Sequence, residues 1–186
     1  MEFRFTIALI YDFDGTLAPG NMQEYDFIPA VGKSNKEFWT EANTLAEEQD
    51  ADMTLTYMAK MLEAARSRKL SLRREAFQES GRRVTLFNGV REWFSRINRY
   101  GEERGIRILH YINSSGLKEI IEGTEIAHEF RKIYACSFLY DIDGVAYWPA
   151  VAVNYTNKTQ FIFKINKGVE SVFDSKLVNQ YIEEDK

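Results

Sequence analysis

Cysteine is almost absent from this chain. Cys136 is the only one in 186 residues, so no disulfide can form within it. The apolar and small neighbours of Cys136 predict an inert core thiol in a reducing compartment, and the chain is accordingly expected in the cytoplasm. Long hydrophobic runs are also missing. The apolar stretch near the N-terminus is broken by Asp12 and Asp14, too soon for a signal peptide or a membrane span. Charge of one sign is not in excess: 24 basic residues face 28 acidic ones, for a net charge of −4. That balance leaves no electrostatic footprint for nucleic acid. The basic run Arg66-Ser67-Arg68-Lys69, with Arg73-Arg74 beyond it, is local and reads as a solvated helix face. Histidine is scarce too. His110 lies inside an apolar run and reads as packed, His128 reads as surface, and neither is assigned chemistry. There is no internal repeat and no low-complexity segment.

What remains is a globular composition. The hydrophobic fraction of 45% supports a core, and the length suits one domain or a core with a modest insertion. The chain is organised around Ile7-Ala8-Leu9-Ile10-Tyr11-Asp12-Phe13-Asp14-Gly15-Thr16-Leu17. An apolar run ends in two carboxylates one residue apart, then a glycine and a hydroxyl. Read as a strand, the run is buried on both faces, as in a parallel sheet, and its acids sit at the carboxyl edge where such sheets bind ligands. Alternation along an extended strand puts Asp12 and Asp14 on one side.

Two acids so placed suit phosphoryl transfer. One carboxylate can act as a nucleophile and form an aspartyl-phosphate. The other can protonate the leaving oxygen and then activate water. Asp12 and a phosphate repel each other, so a hard cation such as Mg²⁺ belongs between them, held by Asp12 and Asp14.

Further along, Ala18-Pro19-Gly20-Asn21 carries turn chemistry. Phe38, Trp39, Ala42, Leu45 and Ala46 then lie at helical spacing. A second helix is expected from Asp52 as a cap, with Met53, Tyr57, Met58, Met61, Leu62 and Ala65 as its apolar stripe. A third should run from Ser71 to near Gly81. The methionines and aromatics of this insertion are read as packing between its own helices. Asn21, Glu24 and Tyr25, just after the acids, are candidates to face a substrate.

Asn88-Gly89 marks a turn, and Val90, Trp93, Phe94 and Ile97 predict an amphipathic helix to Gly101 or Gly105. A strand is expected over 106–112. It ends in Asn113-Ser114-Ser115-Gly116 before a helix through 117–121. Small hydroxyl residues, glycine and a helix start together make an anion cradle. A third strand is expected over 133–140. Asp141-Ile142-Asp143-Gly144 repeats the acidic pattern, but Val145-Ala146-Tyr147-Trp148 reads as a strand, so Asp143-Gly144 is read as a hairpin turn. Lys158 then opens a helix through Phe161, Ile162 and Ile165. A lysine there can neutralise an Asp12–phosphate pair.

The order of apolar strand, Asp-x-Asp-Gly-Thr-Leu, serine motif and lysine resembles the haloacid dehalogenase (HAD) superfamily of hydrolases. The Ser-x-Gly-x-x-x-Ile arrangement is similar to its phosphoserine phosphatase-like branch. The resemblance implies an α/β fold: a Rossmann-like three-layer sandwich with a parallel sheet, a helical cap insertion and a β-hairpin. Residues 1–17 and 87–186 would form the core and 18–86 the cap, which closes over the site and shapes substrate choice. The implied activity is a Mg²⁺-dependent phosphatase acting on a small phosphorylated metabolite. Asp12 would be the nucleophile and Asp14 the acid and then base. Ser114, Ser115, Lys158 and Thr16 would be the phosphate-binding residues, with Lys158 preferred over Lys164 and Lys167.

One part of the family pattern is not found. No apolar strand ending in Gly-Asp or paired acids follows Lys158. The later acids, Glu170, Asp174, Glu183, Glu184 and Asp185, sit in a stretch that reads as a polar helix or tail. The C-terminal part of the fold is therefore expected to be missing, either because the chain is shortened or because the site has lost a metal ligand. A sheet lacking that strand leaves an edge on which a second copy can pair. The alternative function is a HAD-like domain without catalysis that binds a phosphorylated ligand or a protein partner.

Overall fold

The computed structural model describes residues 3–169. Its first strand, β1, is the apolar run Phe5–Tyr11. A turn of 3-10 helix at Met22–Glu24 leads into four helices. These are α1 (Phe27–Ala30), α2 (Asn35–Glu48), α3 (Met53–Ser67) and α4 (Arg74–Gly81). The chain then forms α5 (Val90–Glu102), β2 (Ile106–Leu117), α6 (Lys118–Glu122) and β3 (Lys132–Tyr140). It continues with β4 (Ala146–Val151) and α7 (Lys158–Asn166).

Side-chain caps start the two long inserted helices. Ser34 and Glu37 form a reciprocal capping box before α2, and Asp52 accepts the Leu55 N–H at 2.9 Å before α3. The third helix begins three residues later than Ser71, at Arg74.

The four strands lie in the order β1-β2-β3-β4. The first two pairs are parallel, and β3–β4 is antiparallel. Strand alternation sends His110 to one face, where it meets Phe94 of α5 with ring centroids 5.1 Å apart. Tyr134, paired with Asn113, takes the other face and meets Phe161 of α7 at 5.0 Å. Helix, sheet and helix are thus the three layers. A single apolar cluster joins them to the inserted helices, since Phe38, Met58, Met61 and Phe77 belong to it with Ile112, Leu117 and Cys136. The β3–β4 connection is the hairpin expected at Asp143-Gly144. Gly144 takes φ 74°, and Asp141 Oδ1 accepts the Asp143 and Val145 N–H groups, both at 2.9 Å.

Two sequence expectations need correction. β1 is not buried on both faces. It is an edge strand, with Phe5 68% and Ile7 43% exposed, because among the described residues only β2 pairs with it. The second strand also does not stop at Ile112. β2 runs on to Leu117 through a register shift between Asn113 and Leu117, and the helix after it has only five residues. A bulge of this kind re-aims side chains near a site.

The inserted helices are held to the sandwich by close backbone contact. α4 crosses α6 where Gly81 and Gly123 face each other's chains. A Cβ on Gly123 would lie 1.8 Å from the Gln78 carbonyl oxygen, and one on Gly81 would lie 2.0 Å from that of Ile120. Arg74 adds an ion pair to the buried Glu119 at 3.6 Å and covers the Tyr140 ring. Among the described residues no helix is long and apolar enough to cross a membrane. The C-terminal helix or tail expected beyond Val169, with its acids, lies outside the described residues.

Candidate active site

β1 ends at Tyr11, and the next residues turn sharply. Gly15 adopts φ 72°, and its N–H bonds the Ala18 carbonyl at 2.8 Å. This turn places Asp12 and Asp14 on one cavity of about 420 Å³. Ser114 and Ser115, from the bulged end of β2, line the same cavity. Its other wall comes from the inserted segment: Asn21, Gln23, Trp39, Asn43, Met53, Thr54 and Tyr57.

Lys158 completes the group from the far end of the chain. Its Nζ donates to Asp12 Oδ2 at 2.6 Å, across 146 residues of sequence. Two contacts fix the lysine. The Lys158 N–H bonds the Asn154 carbonyl at 3.1 Å, and Asn113 Nδ2 donates to the Lys158 carbonyl at 2.8 Å. Asn113 thus ties the start of α7 to the strand that carries Ser114.

Asp14 is more enclosed than Asp12. Its Oδ1 accepts the Met22 N–H at 2.9 Å. Burial pushes its carboxyl up to about 7, opposed by the Met22 hydrogen bond and reinforced by the charges of Asp12 and Glu24. An acid of that strength keeps a proton close to neutral pH, which suits proton donation to a leaving group.

The serine motif is not a free cradle at a helix start. Ser114 is fully buried, and its Oγ accepts the Gly116 N–H at 3.0 Å, while the Leu117 N–H points at Met22 Sδ at 3.2 Å. These amides are occupied. What this segment offers to an anion is hydroxyls: that of Ser115, half-buried on the cavity, and that of Ser114, whose oxygen accepts one bond and still has its own proton to donate. Gly116 is required here by space: a Cβ would sit 2.0 Å from Met22 Cε and 3.0 Å from Asp14 Oδ2.

The other sequence candidates divide. Asn21 lines the cavity and donates from Nδ2 to Glu24 Oε1 at 2.7 Å. Glu24 also accepts Trp39 Nε1 at 2.7 Å, so it buttresses the wall from behind. Tyr25 bonds the Pro19 carbonyl. Thr16 is exposed and is not among the cavity-lining residues. His110 is buried between Tyr11 and Asn98, and His128 is on the surface. Cys136 is an enclosed thiol, pushed up to about 11 by burial. Sequence reading missed Gln23, Asn43, Thr54 and Asn113. It favoured helix packing over a substrate pocket for Trp39, Met53 and Tyr57, which line the cavity. The excess of aromatics and methionines in the insertion was the one available signal.

Asp12 and Asp14 supply the hard oxygen donors that Mg²⁺ takes, and that ion fills its remaining positions from phosphate and water. The Asp12 carboxylate and the Asp14 main-chain carbonyl therefore fit the ion, which leaves the Asp14 carboxyl to hold its proton. Among the described residues, no cluster of three or more His, Cys, Asp or Glu is placed to hold a metal.

No family model matches the chain. An uncharacterized protein of Borreliella burgdorferi is 33% identical over 190 residues, an alignment covering 87% of this chain. The chain spans 65% of that relative's length. Among solved structures, a HAD-family hydrolase from Salmonella enterica serovar Typhi superposes with a TM-score of 0.61 at 15% identity, over 90% of this chain and 53% of that one. A substrate-bound phosphoserine phosphatase gives 0.57 at 15%, over 90% and 72%. A phosphoserine phosphohydrolase-like protein from Francisella tularensis gives 0.54 at 18%, over 92% and 75%. The fold is thus that of the HAD hydrolases. Within that fold it is phosphoserine phosphatase-like.

Proposed function

We propose that this chain carries the core of a Mg²⁺-dependent phosphatase that hydrolyses a small phosphomonoester through an aspartyl-phosphate. The observation that carries the reading is the Lys158–Asp12 contact at 2.6 Å. It sets the lysine against the first acid, remote from it in sequence, and that acid lines one cavity with Ser114 and Ser115.

In this reading an Asp12 carboxylate oxygen attacks phosphorus. The bond from phosphorus to the ester oxygen breaks as Asp14 gives that oxygen its proton. Water then attacks the phosphoryl group, Asp14 takes the water's proton, and Asp12 is regenerated with release of phosphate. Lys158 and the Ser114 hydroxyl hold phosphoryl oxygens and offset their charge. Mg²⁺ would be held by the Asp12 carboxylate and the Asp14 main-chain carbonyl, and would supply the positive charge that lets an anionic nucleophile approach a phosphate.

The test is hydrolysis of a generic aryl phosphate by this chain with Mg²⁺ and with chelator, beside Asp12→Asn and Lys158→Ala. Turnover that needs the metal, vanishes in Asp12→Asn and falls about 100-fold or more in Lys158→Ala is the expected result. Undiminished turnover in Asp12→Asn overturns the nucleophile. The lack, among the described residues, of three or more clustered metal-ligating side chains favours one other reading, a domain that binds a phosphorylated ligand without turnover. Phosphate binding to the wild type with no hydrolysis under any metal condition would select it.

A further inference from the structure

The cavity wall supplied by the inserted segment mixes polar and apolar side chains and carries no positive charge. Among its described lining residues there is no lysine, arginine or histidine. Lys158 is the cation that reaches the site, and it is engaged with Asp12. Behind the wall stands Glu24, with its Oε1 bound to Asn21 and Trp39. A phosphate can be met by Lys158 and the Ser114 hydroxyl. A second anionic group on the same substrate would instead lie near Glu24, with no cation to meet it.

The same wall holds a polar atom without a partner. Gln23 lines the cavity, is 2% exposed, and its side-chain Oε1 makes no hydrogen bond. A buried acceptor left unpaired is costly, and a ligand that donates to it recovers that loss. Trp39 and Tyr57 stand beside it as an aromatic wall, 5.8 Å between ring centroids.

We infer that the site accepts phosphomonoesters whose alcohol part presents an O–H or N–H donor and carries no anionic group, with Gln23 as the acceptor that selects them. This rests on the phosphatase reading for the place of the phosphate. Hydroxylated and amine-bearing alcohols share the recognising chemistry, and the test separates them.

The experiment measures binding of inert phosphonates to the full chain by calorimetry in Mg²⁺ buffer, so selectivity is read without turnover. Four probes are used: hydroxypropylphosphonate, aminopropylphosphonate, propylphosphonate, and aminophosphonobutyrate, which is aminopropylphosphonate with a carboxylate on its amine-bearing carbon. At least one donor-bearing probe without the carboxylate is expected to bind about tenfold tighter than propylphosphonate. Aminophosphonobutyrate is expected to bind about tenfold more weakly than aminopropylphosphonate. Whichever donor probe binds better names the source of the donor. Gln23→Leu should remove the advantage over propylphosphonate, and Gln23→Glu, which keeps an acceptor oxygen, should restore it. Equal or tighter binding of the carboxylated probe, a donor advantage that survives Gln23→Leu, or no binding of any probe overturns the inference. Selective binding without aryl phosphate hydrolysis would leave the inference standing and overturn the phosphatase reading instead.

Discussion

Asn154 joins the lysine loop to the inserted helices. Its Nδ2 donates to Asp52 Oδ2 at 2.7 Å, while the other oxygen of Asp52 caps α3 through Leu55. The main-chain carbonyl of Asn154 meanwhile accepts the N–H of Lys158. One residue therefore touches both the start of a cap helix and the residue that meets Asp12.

Asn154→Ala is expected to reduce kcat on an aryl phosphate about tenfold while lowering unfolding free energy by only about 1 kcal/mol, because the side-chain hydrogen bonds it loses, to Asp52 and from the Thr156 N–H and hydroxyl, are all exposed. Ser34→Ala removes a cap at the exposed start of α2 and costs about as much stability. It should leave kcat unchanged. Parallel denaturation curves and turnover measurements compare the two, and equal effects on kcat would deny Asn154 a positioning role.

A second expectation concerns pH. Trp93 Nε1 donates to the Tyr11 hydroxyl, Tyr11 donates to His110 Nδ1, and His110 Nε2 donates to Asn98 Oδ1, each at 2.9 Å. That chain uses the neutral ring, and burial holds the His110 imidazole below its ordinary value, against the opposing charge of Glu129. The unfolded chain therefore binds the proton more readily than the folded one. The contribution of His110 is intact above about pH 6.5 and declines as pH falls below that value. Unfolding free energies measured from pH 8 to pH 5 should fall more steeply for the wild type than for His110→Gln. Parallel slopes would assign the acid sensitivity elsewhere.

The crossing of α4 and α6 predicts a contrast between glycines. Gly123→Ala drives a methyl group into the Gln78 backbone, where no side chain can yield, and should cost about 3 kcal/mol. Gly89→Ala meets open space and costs only its left-handed backbone, about 1 kcal/mol. Denaturant midpoints at unchanged slope measure both, and a smaller loss at Gly123 would mean that α4 moves aside freely.

The outer edge of β1 leads to a fourth expectation. Among the described residues no strand pairs with that edge, beside which Phe5 and Ile7 are exposed. Such an edge recruits further strands, and this chain is expected to self-associate as concentration rises. Ile7→Lys should shift the sedimentation profile toward monomer. An unaltered profile would move the contact to another surface.

Much of the site was legible in the sequence because its chemistry is local. Asp12, Asp14 and Gly15 form one continuous turn, and Lys158 opens a helix whose apolar spacing shows in the residues that follow it. The cap wall was not legible. Gln23, Asn43 and Thr54 stand on three separate elements and converge only when α2 and α3 pack together. The stripe of Tyr57 and its neighbours has the same period whether it faces a core or a cavity. The extension of β2 was hidden because Ser-Ser-Gly has no strand pattern of its own, and a bulge carries the pairing through it. The exposure of β1 escaped for a related reason: an apolar run reports that a strand exists but not which of its edges a neighbour covers.

The separation of Asp12 from Lys158 also has a meaning in time. At a synthesis rate of about 5–20 residues per second, the acid leaves the ribosome roughly 10–30 s before the lysine that meets it. Through that interval the turn at Gly15 can form, yet its two carboxylates have no ammonium to answer them. The strand that carries them likewise waits for β2, whose first paired residue, Ile106, lies far downstream of Phe5. Until Ile106 is made, the nascent chain thus holds inserted helices without a paired sheet to sit on. The Asp12–Lys158 contact can form only after all three parallel strands have been made.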